Sequence, residues 1–173
     1  LLTLAPLSVF ANVTTGKCGT EAFYSYDDVT KTLTITGMGA IRDYNTLSSV
    51  APWYDYCEQI ESIVIESGVT GIGSYAFYYF KGLTSITIPD TVTYIGEGAF
   101  YECTALESVT IPDSITSIGK EAFQFSGLTS VTVPGSLTNI ADYPFCDCDN
   151  LASVEIKDGV EYIGDYAFNG CGN

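Results

Sequence analysis

Histidine does not occur once in these 173 residues. Its absence removes Ser-His and Cys-His nucleophile pairs, imidazole-based zinc sites and imidazole acid–base catalysis together. Positive charge is almost as scarce. Six Lys plus Arg stand against 21 Asp plus Glu, for a formal net charge of −15. Nucleic-acid binding needs a basic footprint, and anionic membranes attract basic segments, so neither is expected as a partner. The apolar opening, LLTLAPLSVFA, is too short to cross a bilayer, which takes about 20 residues in a helix. Methionine and tryptophan each occur once, as Met38 and Trp53. Catalysis, if any, would rest on carboxylates, tyrosines and thiols. No cofactor is expected.

The chain does hold a repeat. LTSITIPDTVTYIGEGAFYECTA starts at Leu83 and LESVTIPDSITSIGKEAFQFSG starts at Leu106, matching almost column for column. Three more copies start at Ile60, Leu128 and Leu151, so the steps are 23, 23, 22 and 23 residues. A period in the twenties marks a stacked repeat architecture. Ile63, Ile86, Val109, Val131 and Val154 share one column, and Ile65, Ile88, Ile111, Val133 and Ile156 another. β-Branched residues two apart describe a short half-buried strand. Pro89-Asp90, Pro112-Asp113 and Pro134-Gly135 then end it, because proline cannot donate to a ladder. A second apolar pair follows, such as Val92 and Ile95. It is closed by Gly73, Gly96, Gly119 and Gly164, with Ala141 once in their place. Those glycines are expected to supply a positive φ. Ala76-Phe77, Ala99-Phe100, Ala122-Phe123 and Ala167-Phe168, with Pro144-Phe145 as the variant, read as a short helical or 3₁₀ turn that drops one ring inside.

One such layer cannot stand alone. Burying a Val, Leu, Ile or Phe is worth about 1.5–3 kcal/mol, while ordering costs about 1.5 kcal/mol per residue. Stacking covers the flat sides and brings like columns to a strand spacing of about 4.8 Å.

Val9 and Ala11 sit at the −3 and −1 positions of a small-residue cleavage site, so residues 1–11 read as the remnant of a secretory signal peptide. Without an initiator Met or a basic n-region, the chain reads as truncated at its front. A buried terminal strand is the alternative. Residues 12–59 form a different, β-rich unit. Ala22–Tyr26 and Thr32–Thr36 read as strands joined by the Asp27–Lys31 hairpin, with Gly37-Met38-Gly39 ending the second. Open ends of repeat stacks need covering, so this unit is a cap with Trp53 packed beneath it. A sugar-stacking role for Trp53 is the rival. Residues 60–173 carry the repeats and read as truncated at the carboxyl end.

These phrases, with Cys18-Gly19, LTITGMGAIRDY and Ala51-Pro52-Trp53-Tyr54 in the front unit, resemble the BspA-type leucine-rich repeats, also called the Treponema pallidum type. The resemblance implies a repeat solenoid: a leucine-rich-repeat-like stack of five short-strand rungs behind a small β-rich N-terminal cap. It also implies a secreted or cell-surface protein of host-associated bacteria or some protozoa, without a catalytic motif. Its partners would be proteins, host matrix or surface proteins among them, in an adhesion-type role. Pro144, Ala141 and the one-residue shortening before Leu128 depart from the pattern and suggest local irregularity there.

Cys103, Cys148 and Cys171 share a column, where a thiol packs as a small hydrophobe. Cys103 and Cys148 lie two rungs apart, too far to bridge. Cys148 with Cys171, and Cys18 with Cys57, remain open as pairs. Cys146 is expected to point elsewhere, toward the surface. Cys146-Asp147-Cys148-Asp149-Asn150 lacks zinc spacing and the ligand ladder of a calcium loop, and reads as an acidic turn. Two binding surfaces are candidates. The outward strand positions Ser85, Thr87, Ser108, Thr110, Ser130 and Thr132 form a hydroxyl strip, flanked by Ser62, Val64, Ser153 and Glu155. Tyr78, Tyr79 and Tyr101 follow the phenylalanines and offer area with a polar tip, against inter-rung packing as their bland role. The function expected is a non-catalytic protein-binding module. A spacer or accessory domain of a longer exported enzyme, or a carbohydrate-binding module, is the alternative.

Overall fold

The computed structural model describes residues 12–172, and the signal-peptide reading falls outside them. Short strands and turns make up the described residues, with a 3₁₀ turn at Tyr54–Tyr56 and no α-helix among them. β1 (Val13–Lys17), β2 (Glu21–Asp27) and β3 (Thr32–Ala40) form an antiparallel meander. The hairpin lies where Asp27 puts it: its Oδ1 accepts from the Val29 and Thr30 amides at 2.9 and 3.1 Å.

β3 runs past the expected stop at Gly37-Met38-Gly39. The two glycines take φ of +94° and +81°, and the register shifts between Gly39 and Ala40. Positive φ within a strand suits glycine alone, so the strand bends without ending. Its first half pairs in parallel with β4 (Ser62–Ile65), its second with β5 (Val69–Gly71). β6 (Ser85–Thr87) extends the same sheet, so hairpin and repeats share one ladder.

The remaining strands are β7 (Tyr94–Ile95), β8 (Ser117–Ile118), β9 (Ser130–Val133), β10 (Asn139–Ile140), β11 (Ser153–Ile156) and β12 (Tyr162–Ile163). All their pairings are parallel and join like columns: Ile95 to Ile118, Val131 to Val154, Ile140 to Ile163. The strand expected around Ser108–Ile111 does not form.

One column of rings runs through the interior. Trp53 stacks on Phe77 at 5.6 Å between centroids. Phe77, Phe100, Phe123, Phe145 and Phe168 follow at 5.3, 5.1, 5.5 and 5.4 Å, with interplanar angles falling from 25° to 1°. Each stacked pair adds about 0.5–1.5 kcal/mol beyond its burial. The rings descend from plain turns rather than helical or 3₁₀ segments. Trp53 is fully buried, and its indole N–H donates to the Ala76 carbonyl at 2.8 Å. With Tyr24 and Tyr44 edge-on to its ring, no face is left for a sugar.

The glycines that close each return segment do not take a positive φ. They are needed for room. A Cβ on Gly96 or Gly119 would stand 2.5 Å from the backbone nitrogen of Ser74 or Glu97, and one on Gly73 would strike the Arg42 carbonyl. The left-handed conformation falls instead on two later columns: Tyr75, Gly98, Glu121, Tyr143 and Tyr166, then Tyr79, Glu102, Phe125, Asp147 and Gly170. Between and at these columns every second N–H points along the stack. Tyr75, Phe77 and Tyr79 donate to the Glu97, Ala99 and Tyr101 carbonyls at 2.8, 2.9 and 2.9 Å. Six of the eight non-glycine residues in these columns, Tyr75, Tyr79, Glu102, Phe125, Tyr143 and Asp147, donate in that ladder, in a conformation costing about 1–2 kcal/mol each.

Ala141 tests the point naturally. Gly119 and Gly164 donate to Ile95 and Ile140, and no such bond runs from Ala141 to Ile118. There β8 and β10 also fail to pair. Pro144 is tolerated because it forfeits only a long i−3 turn bond, such as Ala99 to Gly96 at 3.3 Å, while its carbonyl still accepts from Phe123. Gly96→Ala is therefore expected to cost about 2–3 kcal/mol, since overpacking meets backbone here. Glu121→Gly, at φ +59°, is expected to stay within about 0.5 kcal/mol, because relieved strain offsets glycine's added freedom. Urea melts of both variants check the contrast.

Candidate binding surfaces

The expected hydroxyl strip lies on the outside. Ser85, Thr87, Ser108, Thr110 and Ser130 are exposed and Thr132 is half-buried. Ser85 Oγ donates to Ser62 Oγ at 3.2 Å, and Thr132 Oγ1 to Glu155 Oε2 at 3.1 Å. The structure brings the strip together on β4 and β6 and again on β9 and β11, and leaves Ser108 and Thr110 off any strand. Other hydroxyls stay committed between repeats. Thr91, Ser114 and Ser136 donate to the Val69, Val92 and Ile115 carbonyls at 2.8, 2.7 and 2.6 Å. Their recurrence before the second apolar pair was the available sign of this role.

Tyr78, Tyr79 and Tyr101 meet on the turn face. Tyr78 stacks on Tyr101 at 5.4 Å and tilts against Tyr79 at 5.1 Å, and Tyr75 closes on Tyr78 at 6.0 Å. Phe125, 39% exposed, meets Tyr101 edge-on at 5.5 Å. Sequence reasoning missed Phe125, which stands in the Tyr79 column. Tyr75 donates to Glu97 Oε1 at 2.7 Å, and that hydrogen bond, aided by burial, pushes its phenol well above the usual range. At the same face Lys81 Nζ stands 4.1 Å from the Tyr79 centroid and 3.3 Å from Glu102 Oε1, and the Glu102 contact raises its pKa. Beyond Phe125 lies an open groove of about 560 Å³, bordered by Glu102, Gly127, Asp147 and Asp149.

The cysteines are free thiols. Neither Cys18 with Cys57 nor Cys148 with Cys171 is bridged. Cys103, Cys148 and Cys171 each donate to the carbonyl of a phenylalanine one repeat back, Phe77, Phe123 and Phe145, at 3.3, 3.2 and 2.9 Å. Burial raises all three pKa values, Cys148 to about 11. The column is thus filler with a hydrogen-bond direction. Cys146 points elsewhere than Cys148, as expected, but it is not exposed. It is buried in the column of Tyr78 and Tyr101, covered where its thiol meets Asp147 Oδ2 at 3.3 Å and Asn169 lies 4.0 Å away. No cluster of three or more His, Cys, Asp or Glu able to hold a metal occurs among the described residues. No helix among them is long and apolar enough to cross a membrane.

Parallel short strands in like columns, one interior stack of rings and broad outer faces define a leucine-rich repeat protein. The chain belongs to the BspA-type leucine-rich repeat family, whose pattern matches residues 51–173 in six copies. That match begins inside the segment read above as cap, where β3 already pairs with the first repeat. Among solved structures, a leucine-rich repeat protein from Eubacterium ventriosum is 26% identical, with a TM-score of 0.71 over 86% of this chain and 45% of that one. A leucine-rich cell surface protein from Faecalibacterium prausnitzii is 31% identical, with a TM-score of 0.63 over 96% and 48%. The T. pallidum leucine-rich repeat protein is 26% identical, with a TM-score of 0.56 over 85% of each chain. The chain thus spans about half the length of the first two. A comparison with curated proteins finds no match.

Proposed function

We propose that this chain is a non-catalytic recognition module, secreted or held at a cell surface, that binds protein in an adhesion-type role. In this reading residues 60–173 form a solenoid of five rungs and residues 12–59 cap it, with β3 serving both units. The observation that carries the function is the outer aromatic row of Tyr78, Tyr79, Tyr101 and Phe125, half-exposed and in mutual contact. Tyrosine and phenylalanine are enriched where proteins meet. The cell-surface description of the Faecalibacterium protein supports the location.

The same row argues for protein over carbohydrate. A sugar platform needs open ring faces. Here Tyr78 and Tyr101 stack face to face at 24°, so each covers a ring face of the other. The strip of Ser85, Thr87, Ser108, Thr110, Ser130 and Thr132 is the second surface, and its interruption at Ser108 makes it the less continuous of the two.

The test is binding of the chain to immobilised extracellular-matrix proteins and glycans. Tyr78→Ala/Tyr101→Ala is expected to weaken binding to a matrix protein by at least about tenfold, as removal of central aromatic anchors does. Thr87→Lys/Thr110→Lys/Thr132→Lys is expected to weaken it less. A folded tyrosine variant that binds as well as the parent would show that the aromatic row is not the contact surface.

A further inference from the structure

Three repeats close on four residues: Phe80-Lys81-Gly82-Leu83, Cys103-Thr104-Ala105-Leu106 and Cys148-Asp149-Asn150-Leu151. The third closes on three, Ser126-Gly127-Leu128. The backbone records the difference. The Leu83, Leu106 and Leu151 amides bond back to Phe80, Cys103 and Cys148 at 3.1, 3.1 and 2.9 Å. In the short repeat Gly127 donates instead to the Cys103 carbonyl at 3.1 Å. A Cβ on Gly127 would strike the Thr104 carbonyl, as one on Gly82 would crowd Glu58, so those two glycines are equivalent. The position missing from the short repeat is therefore the one Lys81 fills.

Lys81 shows what that position does. Its ammonium lies over the Tyr79 ring and against the carboxylate of Glu102, one repeat on. Phe125 occupies the Tyr79 column and Asp147 the Glu102 column. Ring and carboxylate thus recur, without a lysine of the chain's own, and the surface there opens into the 560 Å³ groove. Asp147 is held in place by Gln124 Nε2 and Cys146 Sγ, each donating to Oδ2 at 3.3 Å. Asp149 stands exposed on the rim.

We propose that this groove takes a basic side chain, arginine or lysine, of a partner protein, with the cation between the Phe125 ring and the Asp147 carboxylate. The proposal rests on the protein-binding reading above and narrows it to a partner with exposed basic residues. The ring face and the carboxylate act on the same cation, one through its quadrupole and one through its charge. A net charge of −15 draws such partners to the surface before they dock.

The test is a titration of the isotope-labelled protein with a capped Arg-Gly-Arg-Gly-Arg peptide, followed by backbone amide shifts. Saturable shifts are expected at Ser126, Gly127, Asp147 and Asp149. Asp147→Asn/Asp149→Asn is expected to weaken binding about tenfold, the scale of a lost charge-assisted contact. Asp158→Asn/Glu161→Gln, the same charge change elsewhere, is expected to leave it unaltered. Inserting one lysine between Ser126 and Gly127 restores the 23-residue step and is expected to block the peptide while the spectrum stays dispersed. Shifts spread over the whole acidic surface, absence of saturable shifts, or equal weakening by both double variants would overturn the proposal. Matrix-protein binding that survives in Asp147→Asn/Asp149→Asn but fails in the tyrosine variant would remove the groove alone and leave the wider reading standing.

Discussion

Phe100→Ala is expected to destabilise the protein by about 3–5 kcal/mol, the range for truncating a fully buried phenylalanine. Phe100 is 0% exposed and stacks on Phe77 above and Phe123 below. Its removal leaves a cavity between two rings held by their own backbone bonds to neighbouring repeats, so the space cannot close readily. For a chain of this size the melting temperature should fall by roughly 10 °C. Phe168→Ala is the internal comparison. That ring is half-buried and stacks on Phe145 alone, so about 1–2 kcal/mol is expected. Urea unfolding followed by circular dichroism separates the two. Equal losses would mean that the rings do not form one shared core.

A second large effect is expected in alkali. Cys18, Cys103 and Cys148 have pKa values raised by burial, Cys18 to about 12 and Cys148 to about 11, from an ordinary value of 9.0. Below pH 9 these thiols are neutral in both folded and unfolded chains, and the contribution of burial is intact. Above pH 9 the unfolded chain releases protons that the folded one keeps, so stability falls as pH rises toward the folded values. Each thiol held neutral contributes a slope of at most about 1.4 kcal/mol per pH unit. Discounting for partial solvent access, roughly 3 kcal/mol should be lost between pH 9 and pH 10.5. Ionising tyrosines and the negative surface add to the slope, so the diagnostic is a difference. Cys103→Ser/Cys148→Ser should fold, because Ser126 already fills that column, and should show a shallower decline over the same interval. Identical slopes for parent and variant would mean that the thiols are not held neutral.

Columns repeated five times were the legible part of the chain. Interior rings, paired strands and the cysteine filler follow from side-chain type at a fixed interval, because stacking places like beside like. Ile63 lies beside Ile86, and Val131 beside Val154, for that reason. What eluded the sequence depends on backbone rather than on side chains. Gly96 was legible as glycine but not as a point of contact with Ser74, since room and handedness call for the same residue. The left-handed columns hold Gly98, Gly170 and Asp147 but mostly Tyr, Glu and Phe, which do not advertise that conformation. β3 was cut short because Gly37 and Gly39 read as a stop, whereas they bend a continuing strand. Alternation rightly set Cys146 apart from Cys148, but did not show that Asp147 and Asn169 cover it. Of the candidate binding surfaces, the tyrosines and the hydroxyl strip were visible by type. The groove was not, because what opens it is a residue the third repeat lacks. The 22-residue step was its only trace.

Contacts between ring protons test most directly whether like residues lie one above another. With the phenylalanines labelled and assigned, nuclear Overhauser effects should join Phe100 to Phe77 and Phe123, and Phe145 to Phe123 and Phe168, with none between Phe77 and Phe145. A cross-peak that skips a ring, or rings with no contact to the next, would contradict the stacked architecture and the surfaces built on it.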